Sequence, residues 1–189
     1  MANYCDSDYR ITGSAEELDA LYNLMLLLEK EKENGNWVGH IVNALNNNEI
    51  PEHLYVRGWW DSLERQEDCI YFHLESAWEP LIEAWDFIAS KFDTLAVWFS
   101  GEEPGCEVFE HRPYWEKGWF TDCYAVDLLV PDDGEGRTEY FPDIDSAFRF
   151  IENYTDSNII TAEDVEVINL VWQEKDEDAY LYLHEFREV

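Results

Sequence analysis

The chain has 189 residues and a formal net charge of −31, because 43 Asp and Glu residues outnumber 12 Lys and Arg residues. Its 9 Trp, 11 Tyr and 10 Phe residues are enough for a folded core, which excludes a disordered acidic tail. Spread over a surface of about 9,400 Å², the charge reaches about a third of the density of B-DNA, which argues against direct binding to nucleic acid or to an anionic membrane.

The first hundred residues alternate between strand and helix patterns. The predicted elements are, in chain order, a strand over 9–13, a helix that begins after Ser14, a short helix over 37–45, strands over 54–60 and 68–75, a helix over 80–92 and a strand over 94–100. Ser14 and Glu17 are spaced as a capping box, and Pro80 is typical of a first helical turn. The predicted order is therefore β-α-(α)-β-β-α-β.

This order is the ferredoxin-like split βαβ pattern, in which an antiparallel sheet carries its helices on one face. The predicted fold class is α+β, with residues 1–111 as a ferredoxin-like core that a returning strand over 106–111 completes. Residues 112–189 are predicted to form a C-terminal β-rich half that packs on the core or extends it.

The C-terminal half begins with an aromatic loop over 113–120. The predicted elements after it are a strand over 124–130, a turn over 131–136, a short strand over 138–141, a helix that Asp143 or Asp145 caps, and a hairpin of strands over 165–172 and 179–186. The acidic segment 174–178 is the predicted turn of that hairpin.

The segment from Ser76 to Pro80 joins a predicted strand to a predicted helix, as a catalytic serine often does. A nucleophile elbow requires glycine on both sides of the serine, whereas Glu75 and Ala77 flank Ser76. We therefore interpret Ser76 as a turn or cap residue and Trp78 as a core anchor between sheet and helix.

Other residues that could take part in catalysis or metal binding are scattered along the sequence. His73 shares a strand face with Tyr71, and a structural role and a functional role both stay open for it. The acidic turns 132–135 and 176–178 are interpreted as solvated turns, with calcium binding as the alternative, although neither has EF-hand spacing. The sequence has no P-loop, no GxGxxG and no HExxH. We predict no catalytic residue, no cofactor and no metal site.

Compartment and cysteine use point to the cytoplasm. No stretch is apolar enough to span a bilayer, and the N-terminus has neither the basic region nor the apolar run of a secretion signal. Cys5, Cys69, Cys106 and Cys123 form no CxxC pair, which favours buried thiols, with zinc bound by scattered Cys and His as the alternative.

Acidic and aromatic residues together predict a surface for a basic partner. Rings beside acids suit a protein contact, because Trp and Tyr anchor binding hot spots. The alternative is that these rings cap the core between the two halves. The acidic candidates are Glu102, Glu103, Glu107, Glu110, Asp132, Asp133, Glu135, Asp176, Glu177 and Asp178. The aromatic candidates are Trp59, Trp60, Trp115 and Trp119.

Three stretches carry a resemblance to a known family. "MANYCDSDYRITG", "LESAWEPLIEAWDFIASKF" and "LAVWFSGEEPGCEVFEH" resemble the YubB-type ferredoxin-like proteins of phages and plasmids, over residues 1–111. The chain departs from that pattern at Glu79, which precedes a single proline where Pro-Pro is expected. The resemblance implies a ferredoxin-like fold and a mobile-element origin. It implies no site residue, because the family has no established activity.

Together these features predict a non-enzymatic protein in the cytoplasm of a bacterial host. We expect it to bind a basic, nucleic-acid-binding host protein by imitating nucleic acid, and so to inhibit a restriction or CRISPR defence system. No direct binding to nucleic acid or membrane is expected. Two alternatives stay open. One is a self-assembling protein of a mobile element, including a homodimer, whose charge serves solubility, and the other is an uncharacterised enzyme.

Overall fold

The computed structural model describes residues 3–132, 134–155 and 161–189, which form a mixed α+β protein with two sheets. The predicted α+β class is thus confirmed. The chain divides into two compact units: unit 1 is Met1–Phe120 with Glu188–Val189, and unit 2 is Thr121–Arg187. Within the described residues, no helix combines the length and apolarity that a bilayer crossing requires.

Unit 1 contains a sheet with the strand order β2-β3-β1-β4-β5-β9, in which the strands from β2 to β5 pair in antiparallel fashion. Its elements are β1 (Tyr4–Thr12), α1 (Ala15–Glu31), α2 (Val38–Leu45), β2 (Gly58–Arg65), β3 (Cys69–Ala77), α3 (Ile82–Ala89), β4 (Ala96–Glu103), a 3-10 turn (Pro104–Cys106) and β5 (Val108–Arg112). The last strand, β9 (Arg187–Glu188), has its first residue in unit 2 and its second in unit 1.

The central strand β1 begins five residues before the predicted strand over 9–13. Cys5, Ser7, Tyr9 and Ile11 alternate with more exposed residues and are buried on the helix-bearing face. The first half of β1 escaped prediction because two of its inward side chains are small, and because aspartate is uncommon in strands.

Aromatic rings dominate the core of unit 1. The ring of Tyr9 stacks between those of Phe72 and Phe99, with centroids 5.2 and 5.3 Å away. Trp85 of α3 is fully buried, and its ring lies 4.5 Å from that of Phe72. Each such buried ring contributes about 1.5–3 kcal/mol relative to its exposed state, so this layer fixes the helices on one face of the sheet.

The predicted capping box at the start of α1 is half correct. Ser14 accepts a hydrogen bond from the Glu17 N–H at 3.4 Å, as an N-cap does. The Glu17 carboxylate, however, accepts from the N–H groups of Asp93 and Thr94 at 2.8 and 2.9 Å instead of bonding back to Ser14. A tertiary contact has replaced the local one, because the loop after α3 passes beside this helix end.

The predicted strand over 54–60 lies too early. Leu54 and Val56 alternate with polar residues and are buried, but they enter the core from a loop. The strand itself is Gly58–Arg65, and its pairing with β3 shifts between Asp61 and Glu64. Ser62, inside this β-bulge, has a φ of +50°.

Unit 2 has a three-stranded sheet with the order β7-β6-β8 and two helices. Its elements are β6 (Tyr124–Leu129), β7 (Arg137–Phe141), α4 (Ile144–Glu152), α5 (Ala162–Lys175) and β8 (Tyr180–Glu185). Asp143 caps α4, because its side chain accepts a hydrogen bond from the Ser146 N–H at 2.8 Å. Of the two caps that the sequence left open, Asp143 and Asp145, the structure thus selects Asp143. The core of this unit is built on Val126, Leu128, Ile151 and Trp172.

The predicted strand over 165–172 is wrong, because these residues lie in helix α5. Val165 and Trp172, seven residues apart, are its buried residues, whereas Val167 and Leu170 are exposed. Apolar residues on both faces remove the 3.6-residue period, and β-branched residues imitate a strand. The C-terminal half therefore has a second helix in place of the first strand of the predicted hairpin.

Candidate functional site

The sheet of unit 1 has one face that its helices leave uncovered. Strand residues alternate between faces, so the side chains that alternate with buried Tyr9 and Ile11 project from the side opposite α1, α2 and α3. On β1 these are Asp6, Asp8 and Arg10. We call this side of the sheet the acidic face.

Three carboxylates stand side by side across the acidic face. Asp6 on β1 is paired with Glu75 on β3 and with Glu102 on β4. Directly opposed side chains have Cβ atoms about 4.5–5.5 Å apart, and like charges in such positions are destabilising. Half-buried Trp59 on β2 is paired with Glu75 and extends the row by one strand. Glu75, Asp6 and Glu102 are named here the carboxylate row.

A second cross-strand row places His73 between carboxylates. The register aligns Asp61, His73 and Asp8 on β2, β3 and β1. The His73 ring contacts two of the acids on β1, with Nδ1 3.4 Å from Asp8 Oδ1 and Nε2 3.5 Å from Asp6 Oδ1. The His73 ring thus lies between the carboxylates of two alternate residues of β1.

Tyr71 completes this neighbourhood. Its hydroxyl donates to Asp8 Oδ1 at 2.8 Å. Burial, followed by the hydrogen bond and charge of Asp8, raises the pKa of Tyr71 to about 12. The phenol therefore remains protonated at neutral pH, and it holds the Asp8 carboxylate in a fixed orientation.

The aromatic loop covers the other end of the acidic face. Tyr114 stacks on Trp98 of β4, with ring centroids 4.4 Å apart. The Arg10 guanidinium lies 4.6 Å from the ring centroid of Trp119, in a cation–π contact. Trp115 of the same loop is 58% exposed. The Trp119 ring thus packs against the Arg10 guanidinium, while the Asp6 side chain stays 64% exposed.

The predicted acids of unit 1 do not share one surface. Glu102 lies on the acidic face, whereas Glu103 points the other way and is 6% exposed. The prediction of Glu103 as a partner-binding residue is therefore wrong. Glu107 is exposed after the 3-10 turn, with a φ of +56°. Glu110 is paired with Gly101 on the face opposite to that of Glu102. Strand alternation separates neighbours that the sequence places together.

Three of the predicted acids of unit 2, Asp132, Asp176 and Asp178, come together. The Asp132 N–H donates to Asp176 Oδ2 at 3.3 Å, and the Asp178 N–H donates to Asp176 Oδ1 at 3.1 Å. Glu135 and Glu177 are exposed nearby in sequence, whereas Asp133 lies outside the described residues. Backbone N–H groups therefore occupy both oxygens of Asp176, as in a solvated turn.

Two aromatic predictions need correction. Trp60 is fully buried, and its Nε1–H donates to Glu29 Oε1 at 2.6 Å, so it belongs to the core and not to a partner-binding surface. Trp78, predicted as a core anchor, is 44% exposed and has a φ of +77°, which is strained for a bulky residue. The Ser76 hydroxyl donates to the Glu79 carbonyl at 2.7 Å, as a turn residue does.

The four cysteines are all free thiols and differ in burial. Cys5 and Cys69 are buried as predicted, whereas Cys106 is exposed and Cys123 is half-buried. Burial raises the pKa of Cys5 to about 12. In residues 3–132, 134–155 and 161–189, no group of three or more His, Cys, Asp or Glu side chains is arranged to hold a metal ion.

The residues that sequence reasoning missed are Asp6, Asp8, Asp61 and Glu75. Their signal was the alternation of acids with buried residues in β1 and β3, but only the register shows that these acids meet. Comparisons with protein-family models, with curated proteins and with solved structures find no match for this chain.

Proposed function

We propose that this protein uses the acidic face to bind a basic, nucleic-acid-binding surface of another protein, and so competes with nucleic acid. The carboxylate row supports this function most directly. Asp6 and Glu75 are exposed acids in directly opposed positions on adjacent strands, an arrangement that lowers the stability of the free protein. A partner that brings Lys or Arg side chains to the row removes this cost, so the binding is coupled to relief of repulsion.

The spacing of the acids suits this role. Neighbouring strands are about 4.8 Å apart, and alternate residues along a strand are about 6.6 Å apart. Each strand of a duplex carries one phosphate charge per ~3.4 Å of axis, so the acids of the sheet are spaced about one and a half to two times more widely than the charges along one DNA strand. The net charge of −31 steers a basic partner towards the protein, and Trp59 beside the row supplies an apolar contact.

Fold type and origin belong to the same proposal. β1 and β2 are both antiparallel to β3, which lies between them, and β1 lies between β3 and β4. This interleaving of two βαβ units supports the ferredoxin-like assignment. An origin in a phage or plasmid and a target in a host defence system rest on the sequence resemblance to the YubB-type family.

A capture experiment tests the function. Tagged wild-type protein, the double variant D6N/E75Q and the control E49Q/E52Q are incubated with nuclease-treated bacterial lysate, and bound proteins are released with duplex DNA and then with salt. The control removes two exposed loop acids and so matches the charge change. We expect wild type and control to capture the same basic protein, DNA to release it, and D6N/E75Q to lose it. Equal capture by all three proteins, or no release by DNA, contradicts the proposal.

One observation favours self-association as a second candidate. Val167, Leu170 and Val171 are between 43% and 63% exposed and share one face of α5. Sedimentation over a range of concentrations separates the candidates. A dimer that the variant L170E abolishes supports self-association through α5, and a monomer at every concentration counts against it.

A further inference from the structure

The sheet of unit 2 has one face that lies opposite its helices. Val126 and Leu181 belong to the core that α4 and α5 cover, so the residues that alternate with them on β6 and β8 project from the other side of the sheet. On that side, Asp127 of β6 is paired with Thr138 of β7 and with Tyr182 of β8. These three residues and Tyr180 of β8 are named here the tyrosine face, and all four belong to unit 2.

Two tyrosine rings of β8 lie next to each other on the tyrosine face. The rings of Tyr180 and Tyr182 are nearly parallel, with centroids 5.7 Å apart and an angle of 18° between their planes. Gly136 leaves room for the Tyr180 side chain, because a Cβ atom there would lie 2.6 Å from the Tyr180 hydroxyl oxygen. Tyr182 is 44% exposed. The pair therefore presents an aromatic surface to solvent.

The half-buried Asp127 carboxylate lies beside these rings. Its Oδ1 accepts a hydrogen bond from the Thr138 hydroxyl at 3.2 Å. Burial, followed by the charge and the hydrogen bond of Asp127, raises the pKa of Tyr180, so a second hydroxyl group lies against the same carboxylate. Among the residues that the structure describes, no Lys or Arg forms an ion pair with Asp127. Two hydroxyl groups thus orient a carboxylate whose charge no cation of the described chain compensates.

We propose that the tyrosine face binds the guanidinium group of an arginine side chain. The planar guanidinium stacks on the exposed ring of Tyr182, as cations do on aromatic faces. Its N–H groups donate charge-assisted hydrogen bonds to the Asp127 carboxylate. The arginine belongs to the basic partner, a source that rests on the proposed function. Unit 2 thereby gains a contact with the partner that is separate from the carboxylate row of unit 1.

Charge complementarity argues for this occupant. Nucleic-acid bases also stack on tyrosine rings, but the net charge of −31 repels the phosphates to which they are joined. The same net charge attracts cations, and the uncompensated Asp127 carboxylate gives a cation a defined position beside the rings. Arginine fits better than lysine, because only its flat group can stack on a ring and present a fork of N–H donors to a carboxylate.

An NMR titration tests the site with small probes. In ¹H–¹⁵N spectra at low salt, we expect N-acetyl-arginine-methylamide to shift the backbone signals of Asp127, Thr138 and Tyr182 in a saturable way. N-acetyl-citrulline-methylamide has nearly the same planar shape without the charge, and it should leave these signals in place. N-acetyl-lysine-methylamide, which has the charge without the planar group, should bind more weakly.

Variants separate the two contacts. Asp127→Asn keeps an oxygen that accepts from Thr138, and it is expected to bind the arginine derivative about tenfold more weakly, as for one lost charge-assisted contact. Tyr182→Leu removes the ring and should bind about threefold more weakly, whereas Tyr182→Phe keeps the ring and should bind as wild type does. Glu139→Gln is the control, because it removes an exposed charge from the opposite face of β7.

Four outcomes overturn the inference: no saturable shift with the arginine derivative, the same shift with the citrulline derivative, unchanged binding by Asp127→Asn, or equal losses in Asp127→Asn and Glu139→Gln. Equal binding of the lysine derivative would show that the assignment to a guanidinium group is wrong. These titrations need no partner protein. Loss of capture by D6N/E75Q without an arginine-dependent shift at Tyr182 would therefore overturn this inference and leave the proposed function standing.

Discussion

Unit 1 and unit 2 both place helices on an antiparallel sheet, but their hydrophobic cores are built from different residues. In unit 1 three stacked rings, Tyr9, Phe72 and Phe99, form one layer beneath Trp85. In unit 2 the described core relies on aliphatic residues with Phe148 and Trp172, and α5 leaves apolar side chains exposed. The unit with the larger core is the one that carries the carboxylate row, where opposed like charges lower stability.

The two units also differ in how a helix begins. In α5 the capping box is closed, because Thr161 accepts from the Asp164 N–H and Asp164 accepts from the Thr161 N–H. In α1 the corresponding acid, Glu17, leaves the cap and binds the loop at residues 93–94. The start of α5 is thus stabilised locally, whereas the start of α1 depends on the tertiary structure around it.

The largest expected effect is in the aromatic layer of unit 1. Phe72→Ala removes a ring that packs on both Tyr9 and Trp85, and we expect a loss of about 3–5 kcal/mol in the free energy of unfolding. Urea denaturation followed by circular dichroism measures it. Phe72→Leu serves as the control and is expected to lose less. A loss below about 1 kcal/mol for Phe72→Ala would show that the layer collapses around the cavity.

A smaller effect is expected at the local cap of unit 2. Thr161→Ala opens the capping box of α5 and should lower stability by about 1 kcal/mol. Thr161→Ser keeps a hydroxyl acceptor and is expected to retain most of the wild-type stability. Thermal denaturation of both variants measures the difference. Equal losses would mean that the hydroxyl hydrogen bond is not the source of the stability.

A stabilising effect is expected in the carboxylate row. Glu75→Gln removes one of the opposed charges and should raise the free energy of unfolding by about 0.2–1 kcal/mol at low salt. Screening reduces this gain at high ionic strength. Denaturation in low and high salt, with Glu52→Gln as an exposed control, measures both values. A destabilised Glu75→Gln would remove the main support for the proposed function.

The smallest effect is confined to the acid range. The Thr94 hydroxyl and the Asp93 N–H hydrogen-bond to Glu17 and lower its pKa from 4.5. Because the folded pKa lies below the unfolded one, ionised Glu17 stabilises the fold at neutral pH, and this stabilisation is lost as the pH falls through the folded pKa. Glu17→Gln should therefore be less stable than wild type at pH 7, with a difference that shrinks below about pH 4.

Denaturation of both proteins across the range from pH 7 to pH 3 measures this dependence. Glu16→Gln, which removes a neighbouring charge without a side-chain hydrogen bond in the described chain, is the control. A difference between wild type and Glu17→Gln that does not change with pH would place the effect in the loop at residues 93–94 and not in the ionised carboxylate.

Local signals account for the parts of the fold that could be predicted. Ser14 and Asp143 are caps within three residues of the N–H groups that they bind, and the buried stripe of α1 recurs within single turns. α5 could not be recognised by its period, because Val167 and Leu170 make its outer face apolar. Its cap, Thr161 with Asp164, was the one available local signal.

The candidate site was less predictable than the fold. Glu102 and Glu103 look equivalent in the sequence, yet one projects from the acidic face and the other is buried behind it. Trp59 and Trp60 differ in the same way. The face of a strand residue depends on register, and the β-bulge at Ser62 changes the register of β2 without any signal in the periodicity.

By itself, the amino-acid sequence determined the net charge, the α+β class and the order of elements from β1 to β4, because composition and short periodicities are local properties of the chain. Only the tertiary structure decided which acids lie side by side. Asp6, Glu75 and Glu102 come from distant parts of the chain and meet through strand pairing. Which strands pair depends on the burial of the Tyr9, Phe72 and Phe99 rings against one another. These rings come from distant parts of the chain, so no short stretch of sequence shows which strands are partners.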